Sequence, residues 1–179
     1  MLIGLRNMLI RFSRDRDGAS AVEFALIAPF LITLYLGAVQ VSQALNADSK
    51  LTSAANAVGD LVAQDDVITD NELDDIFEAA GIIMEPYDVD AMVMRVSSVR
   101  MDNDGDIFVD WSDAQGIDPL GDDAQPVIPN GILVEGESIV LVEAGYNFTT
   151  PFKVEGFESL TLSDTVYLRP RRGLWVRRD

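Results

Sequence analysis

The chain has 179 residues, of which 30 are acidic and 13 basic, with neither cysteine nor histidine. That length fits one domain of ordinary size beside a membrane segment. The missing residue types exclude disulfide frameworks, thiolate nucleophiles, Ser-His-Asp and Cys-His machinery and the usual zinc sites.

Charge is unevenly placed: between Ala19 and Leu168 the only basic residues are Lys50, Arg95, Arg100 and Lys153. A nucleic-acid partner is therefore excluded, because such binding relies on Lys and Arg neutralising phosphates. Ahead of Gly18, Arg6, Arg11, Arg14 and Arg16 stand against Asp15 and Asp17. Positive charge on this flank predicts a cytoplasmic amino terminus. From Phe24 to Ala47 no residue is charged, a run of 24, and about 20 residues suffice to cross a bilayer as a helix. The run is too long for the apolar core of a secretory signal, and the helical pattern continues past it. A permanent anchor fits better.

Two residues interrupt this segment. Glu23 stands near its front edge, and an ionisable side chain in a span costs about 2.5 to 3.5 kcal/mol at the bilayer centre, less toward the interface, so it marks a candidate functional position. Pro29 removes one helical hydrogen bond and predicts a kink or loosening about one turn before it. Farther on, Ala44, Ala47, Leu51, Ala54, Val58 and Leu61 recur at alternating spacings of three and four, a seam along one helix face rich in alanine. It suits packing on the chain's own domain or on another copy's helix.

Thr69, Asp70, Asn71 and Glu72 form a T-x-x-E capping box, and Leu73, Ile76, Phe77 and Ala80 follow at helical spacing as far as Gly81. A helix that stops at Gly81 is predicted. Val89–Met101, the turn string DNDG and the alternation of Ile107, Val109 and Trp111 predict a β-hairpin. Ile139–Tyr146 and Leu160–Leu168 are two more strands, with a turn region around Pro151 and Gly156 between them. Residues 113–137 hold four Gly and three Pro, which predicts an irregular excursion and a candidate contact surface for other subunits. These elements imply an α+β fold, a long N-terminal helix packed on a small antiparallel β-sheet.

Several patterns resemble catalytic or metal sites and are better explained otherwise. Asp102, Asp104, Asp106 and Asp110 occupy positions one, three, five and nine of an EF-hand-like loop, but the sixth and twelfth residues are Ile107 and Asp113 rather than Gly and Glu. Turn chemistry accounts for them. Asp65 with Asp66, Asp74 with Asp75 and Asp122 with Asp123 are sequence neighbours, which do not face one another as glycosidase carboxylates must. No phosphate-binding G-x-x-x-x-G-K-[ST] string occurs. No metal site, cofactor or enzymatic activity is expected. The last stretch, RPRRGLWVRRD, reverses the charge, and Trp175 between Leu174 and Val176 predicts that part of it packs, either on the acidic domain of its own chain or a neighbour or against anionic headgroups.

The string GASAVEFALIAP from Gly18 to Pro29, with Glu23 the fifth residue after the glycine, resembles the TadE-like pilins of the tight-adherence (Tad, or Flp) type IV pilus system. VSSVRMDNDGDIFVDWSDAQG and SIVLVEAGYNFTTPF resemble downstream segments of the same family. No D-x-S-x-S motif of the longer TadG-like relatives is present, which makes the TadE or TadF type the nearer resemblance. This resemblance implies a pilin-like architecture: a basic leader at residues 1–18, a transmembrane helix at 19–47 and an exported domain at 48–179. It implies cleavage by a prepilin peptidase between Gly18 and Ala19, and roles for Glu23, Phe24 and Pro29 in peptidase recognition and assembly. Glu23 would pair with the terminal amine of a neighbouring subunit. The implied protein is a minor pilin or pseudopilin in the bacterial inner membrane, with a periplasmic C-terminal domain and possible incorporation into the pilus. Its implied partners are other pilins and the inner-membrane Tad assembly machinery. The alternative is an unprocessed, signal-anchored periplasmic binding domain.

Overall fold

The computed structural model describes residues 16–121, 123–154 and 157–179, so the leader up to Asp15, together with Asp122 and Gly156 from the sequence expectations, lies outside the described residues. Helix α1 spans Arg16–Gln64 and α2 spans Asp70–Met84. The strands are β1 (Val67–Ile68), β2 (Met92–Met101), β3 (Ile107–Gln115), β4 (Ser138–Val154), β5 (Phe157–Leu168) and β6 (Arg177–Arg178). The chain divides into two units, one ending at Gln43 and one comprising Ala44–Asp179. In the first unit the described residues form the N-terminal part of α1.

The second unit is an α+β layer built on a four-stranded antiparallel sheet of order β3-β2-β4-β5. Alternation along the strands separates two faces. Met92, Met94 and Val96 of β2 and Val140, Val142, Ala144, Tyr146 and Phe148 of β4 join the buried faces of α1 and α2 in the main core. The α1 contribution is Ala47, Leu51, Ala54, Ala55, Val58, Val62 and Ala63, all essentially inaccessible. Small side chains let the helix come close to the sheet, most of all at Gly59, where a Cβ would lie 3.2 Å from Val142 Cγ2 and closer still to Leu168 Cδ1.

The other face carries Val99, Ile139 and Leu141, and it is covered by Leu133, Leu120, Ile128 and Ile132 from the segment between β3 and β4. Topology dictates this course. Gln115, at the end of β3, lies opposite Met94, whereas Ser138, at the start of β4, lies opposite Arg100. The connection must therefore run the length of the sheet, over β2, to join two parallel strands, a crossover more often made by a helix. Arg95 fixes it by donating to the Asp118 carbonyl at 3.2 Å while its guanidinium pairs with Glu143 at 2.7 Å. The Leu120 N–H donates to Ser112 Oγ at 3.0 Å.

Local chemistry explains where the elements begin and end, including where they depart from the sequence expectation. The capping box at α2 is formed: the Glu72 N–H donates to Thr69 Oγ1, and the Thr69 N–H donates to Glu72 Oε2 at 2.8 Å. The bonds from the Thr69 backbone and then its hydroxyl hold the Glu72 carboxyl below its ordinary range. The helix does not stop at Gly81 but runs to Met84, because Gly81 is part of the buried face, where a Cβ would stand 3.1 Å from Val89 Cγ1. Termination comes at Glu85, the residue before Pro86, which is biased out of the helical region. Strand β2 begins at Met92, since Asp88 caps a short 3₁₀ turn at Val89–Ala91. In the hairpin turn the Asp102 carboxylate accepts from the Asp104 and Asp106 N–H groups, both at 2.9 Å, and Gly105 takes the positive φ of 87°.

Strict alternation along β3 fails at a register shift between Ser98 and Val99. The extra residue sends Ile107 to the crossover side and Trp111 to the helix side. The two later strands are longer than expected: β4 passes through Pro151 to Val154, and its pairing with β5 shifts between Thr149 and Val154, where a residue lacking an N–H is tolerated.

Leu61 is 42% exposed, off the buried face of α1, while Val62 is fully buried. Spacings alternating between three and four average 3.5 residues per turn, and over several turns of a 3.6-residue helix that drift carries the last position off the seam. Leu51→Ala should therefore lower the unfolding free energy by about 3 kcal/mol. Leu61→Ala should change it by no more than about 0.5 kcal/mol, both measured by urea unfolding in non-ionic micelles.

Candidate functional site: an exposed apolar helix and a docked basic tail

Gly18, Ala19, Glu23, Phe24 and Pro29 all lie in α1, within the first unit. Ala19 and Glu23 are four residues apart, which places them on one side of the helix with an axial separation of roughly 6 Å. Glu23, Phe24 and Pro29 are exposed. So are Val22, Leu26, Phe30, Leu34 and Tyr35, and the most apolar 18-residue window of the helix has a mean hydropathy of 2.0 with none of it buried. Leaving such side chains in water forgoes about 1.5 to 3 kcal/mol apiece. A helix apolar on every side requires lipid or protein around it.

Helix α1 continues unbroken through Pro29, which has no N–H to give to the Ala25 carbonyl. One turn later Thr33 Oγ1 donates to the Pro29 carbonyl at 2.9 Å. Of the seam residues, Ala44 is partly buried and Ala47, Leu51, Ala54 and Val58 are buried within the second unit, where they meet the chain's own sheet and α2.

The basic C-terminal stretch docks on its own chain. Val176 is fully buried, and its carbonyl accepts from Trp111 Nε1 at 2.7 Å. The Leu174 carbonyl accepts from Ser138 Oγ at 2.8 Å. The Arg171 N–H donates at 2.8 Å to the Ala63 carbonyl, one of the last-turn acceptors of α1 that has no partner within the helix. Strand β6 pairs in parallel with β1, and the Arg177 and Asp179 N–H groups reach the Asp66 and Ile68 carbonyls. Charge follows the backbone: Arg171 pairs with Asp60, Arg172 with Asp65 and Arg169 with Glu137. Arg178 is the better-enclosed cation, bound to both Asp70 and Asp113 with its guanidinium 5.7 Å from the Trp111 ring centre. Arg100 lies 4.2 Å above the Trp175 ring. Exposed ion pairs add little, about 0 to 1 kcal/mol each, so Val176, the stacked aromatics and the backbone bonds hold the tail.

Among the described residues no group of three or more His, Cys, Asp or Glu is arranged to hold a metal ion. Asp102 uses its carboxylate on turn N–H groups. The sequence signal for the tail was Trp175 flanked by Leu174 and Val176. The register of β6 on β1 had none, since two-residue strands carry no periodicity.

An apolar N-terminal helix, long enough to cross a membrane and continuous with a helix packed on an antiparallel sheet, defines the class: an α+β protein with a candidate membrane anchor. The model of the family described as TadE-like protein matches residues 18–60, from Gly18 through the packed part of α1. The similarity is to that segment, 43 of the 179 residues, and the match does not extend to the sheet or the tail. No curated protein and no solved structure matches it.

Deleting residues 171–179 should lower the unfolding free energy by about 3 kcal/mol or more, since it exposes the pocket of Val176 and the faces of Trp111 and Arg100. Arg177→Ala, which leaves the backbone bonds of β6 in place, should stay within about 0.5 kcal/mol. Urea unfolding of the two variants in non-ionic micelles separates backbone docking from charge.

Proposed function

We propose that the protein is a minor pilin or pseudopilin, a structural and assembly component of a tight-adherence pilus rather than an enzyme. The observation that carries this reading is the TadE-like match beginning at Gly18, together with Glu23 one helical turn past Ala19 on an otherwise apolar helix. Residues 1–18 are the leader, removed by a membrane-embedded prepilin peptidase that recognises the junction of Gly18 and Ala19 through Glu23, Phe24 and Pro29. Phe24–Gln43, 20 residues, is then the lipid-crossing stretch, about 30 Å of helix and so the thickness of the hydrocarbon core. The basic leader sets the amino terminus in the cytoplasm and the α+β unit in the periplasm.

Cleavage creates a positive amine at Ala19 beside a negative carboxylate at Glu23. At the edge of the hydrocarbon core each charge is partly desolvated, and pairing them offsets part of that cost. In an assembly the Glu23 carboxylate meets the Ala19 amine of a neighbouring subunit, which fixes the axial register of one helix against the next. The partners are other pilins and pseudopilins and the inner-membrane Tad machinery, and the alanine-rich face of α1 is kept for the subunit's own core.

Glu23→Ala should still insert in the membrane, since the span becomes more apolar, but should no longer co-purify with the other pilins after cross-linking in cells. Unaltered association of this variant would remove the pairing role.

A further inference from the structure

An open groove of about 470 Å³ lies between α2 and the last residues of β3, floored by Phe77, Gly81, Ile82, Val89 and Ala114 and edged by carboxylates. We infer that this groove is a docking site for an extended segment of another protein that alternates apolar side chains with Lys or Arg, laid beside the outer edge of β3. The inference rests on the second unit alone and holds whether or not the leader is cleaved.

Shape and charge lead to that occupant. Strand β3 is an edge strand, paired only with β2 within the sheet, and an edge flanked by a groove is the geometry in which an extended peptide gains backbone bonds on one side and pockets for alternate side chains. Ile82 is 63% exposed and Val89 is 38% exposed, so the floor offers apolar surface to a visitor. On α2, Asp74 and Glu78 are one turn apart on one side of the helix, and Glu85, the residue at which the helix ends, also lines the groove. Among the described residues no ion pair reaches any of the three. Like charges at this spacing destabilise a helix, and a cationic partner would relieve them.

At one end of the groove the chain already shows this chemistry with its own residue. Asp113, a lining residue, holds the Arg178 guanidinium, which also meets Asp70 and the face of Trp111. A second copy of the chain is a poor occupant: its net charge is −17, and Arg169, Arg171, Arg172 and Arg178 of its tail are engaged with its own carboxylates.

The test is fluorescence anisotropy of a fluorescein-labelled, amidated Lys-Val-Arg-Val-Lys peptide with the full chain in non-ionic micelles, a Glu-Val-Glu-Val-Glu peptide serving as control. The basic peptide should bind and the acidic one should not, and binding should weaken between about 0.1 and 1 M salt as the Debye length contracts from about 10 to 3 Å. The combined variant Asp74→Asn, Glu78→Gln, Glu85→Gln should weaken binding roughly tenfold, with a melting temperature equal to or above that of the wild type because a like-charge pair on α2 has been removed. Ala114→Arg, which leaves α2 untouched, should weaken it similarly. The matched set Asp118→Asn, Asp123→Asn, Glu135→Gln, outside the groove, should leave it unchanged. Equal loss in the matched set would mean attraction to net charge alone, and equal binding by wild type and groove variants would place the peptide elsewhere; either overturns the proposal. Self-association of the full chain that disappears in the groove variants would assign the groove to a second copy and overturn it as well.

Discussion

One helix, α1, has to satisfy two different surroundings along its length, and the rest of the structure follows from how it does so. Between Phe24 and Gln43 its side chains are uncharged and mostly apolar, and none of them is buried. From Ala44 onward only one side is buried, and that side is built from alanine, leucine, valine and Gly59. The change of pattern falls within a single helix, with no loop to absorb it. Small residues on the packed side bring the helix axis close to β4 and β5, and larger ones there would hold it away from Val142 and Leu168.

The sheet has two faces to cover, and each is covered by a different device. Regular helices cover one face, where the strands present Met, Val, Tyr and Phe. An irregular crossover covers the other, because β3 and β4, which flank β2, run parallel to each other and the chain must travel from one end of the sheet to the other between them. Its apolar residues are few, and its polar anchors are Arg95, Ser112 and Arg169. The C-terminal tail completes the layer by joining the last turn of α1, β1 and the edge of the sheet, so that the strongly acidic unit carries its own counter-charge where the helix ends.

Much of this was legible in the sequence where the signal is local and periodic. The capping box at Thr69, the turn around Gly105 and the core pattern of β2 and β4 depend on residues close together in the chain. Longer-range geometry was less legible. Leu61 was drawn into the seam because a 3.5-residue average drifts from a 3.6-residue helix. Gly81 reads as a stop signal, yet its missing side chain serves close packing on Val89. The bulge at Ser98 and Val99 reverses the side chosen by Trp111, and nothing in the alternation of β3 announces it. The crossover reads as a candidate contact surface, but much of its apolar surface is spent on the chain's own sheet. For the residues from Gly18 to Pro29 the sequence gives their relative placement, since spacing within one helix is fixed by the chain. The groove beside β3 was not legible, because it exists only once α2 and the sheet edge are brought together.

The central claim is that Ala19 becomes the amino terminus and that Glu23 answers the charge created there. Intact-mass spectrometry of the protein extracted from membranes of cells that contain a prepilin peptidase tests it most directly. The account predicts a mature chain that begins at Ala19, and the full-length mass in cells that lack the peptidase. A chain that keeps residues 1–18 in the presence of the peptidase would contradict it and leave an anchored periplasmic binding protein in its place.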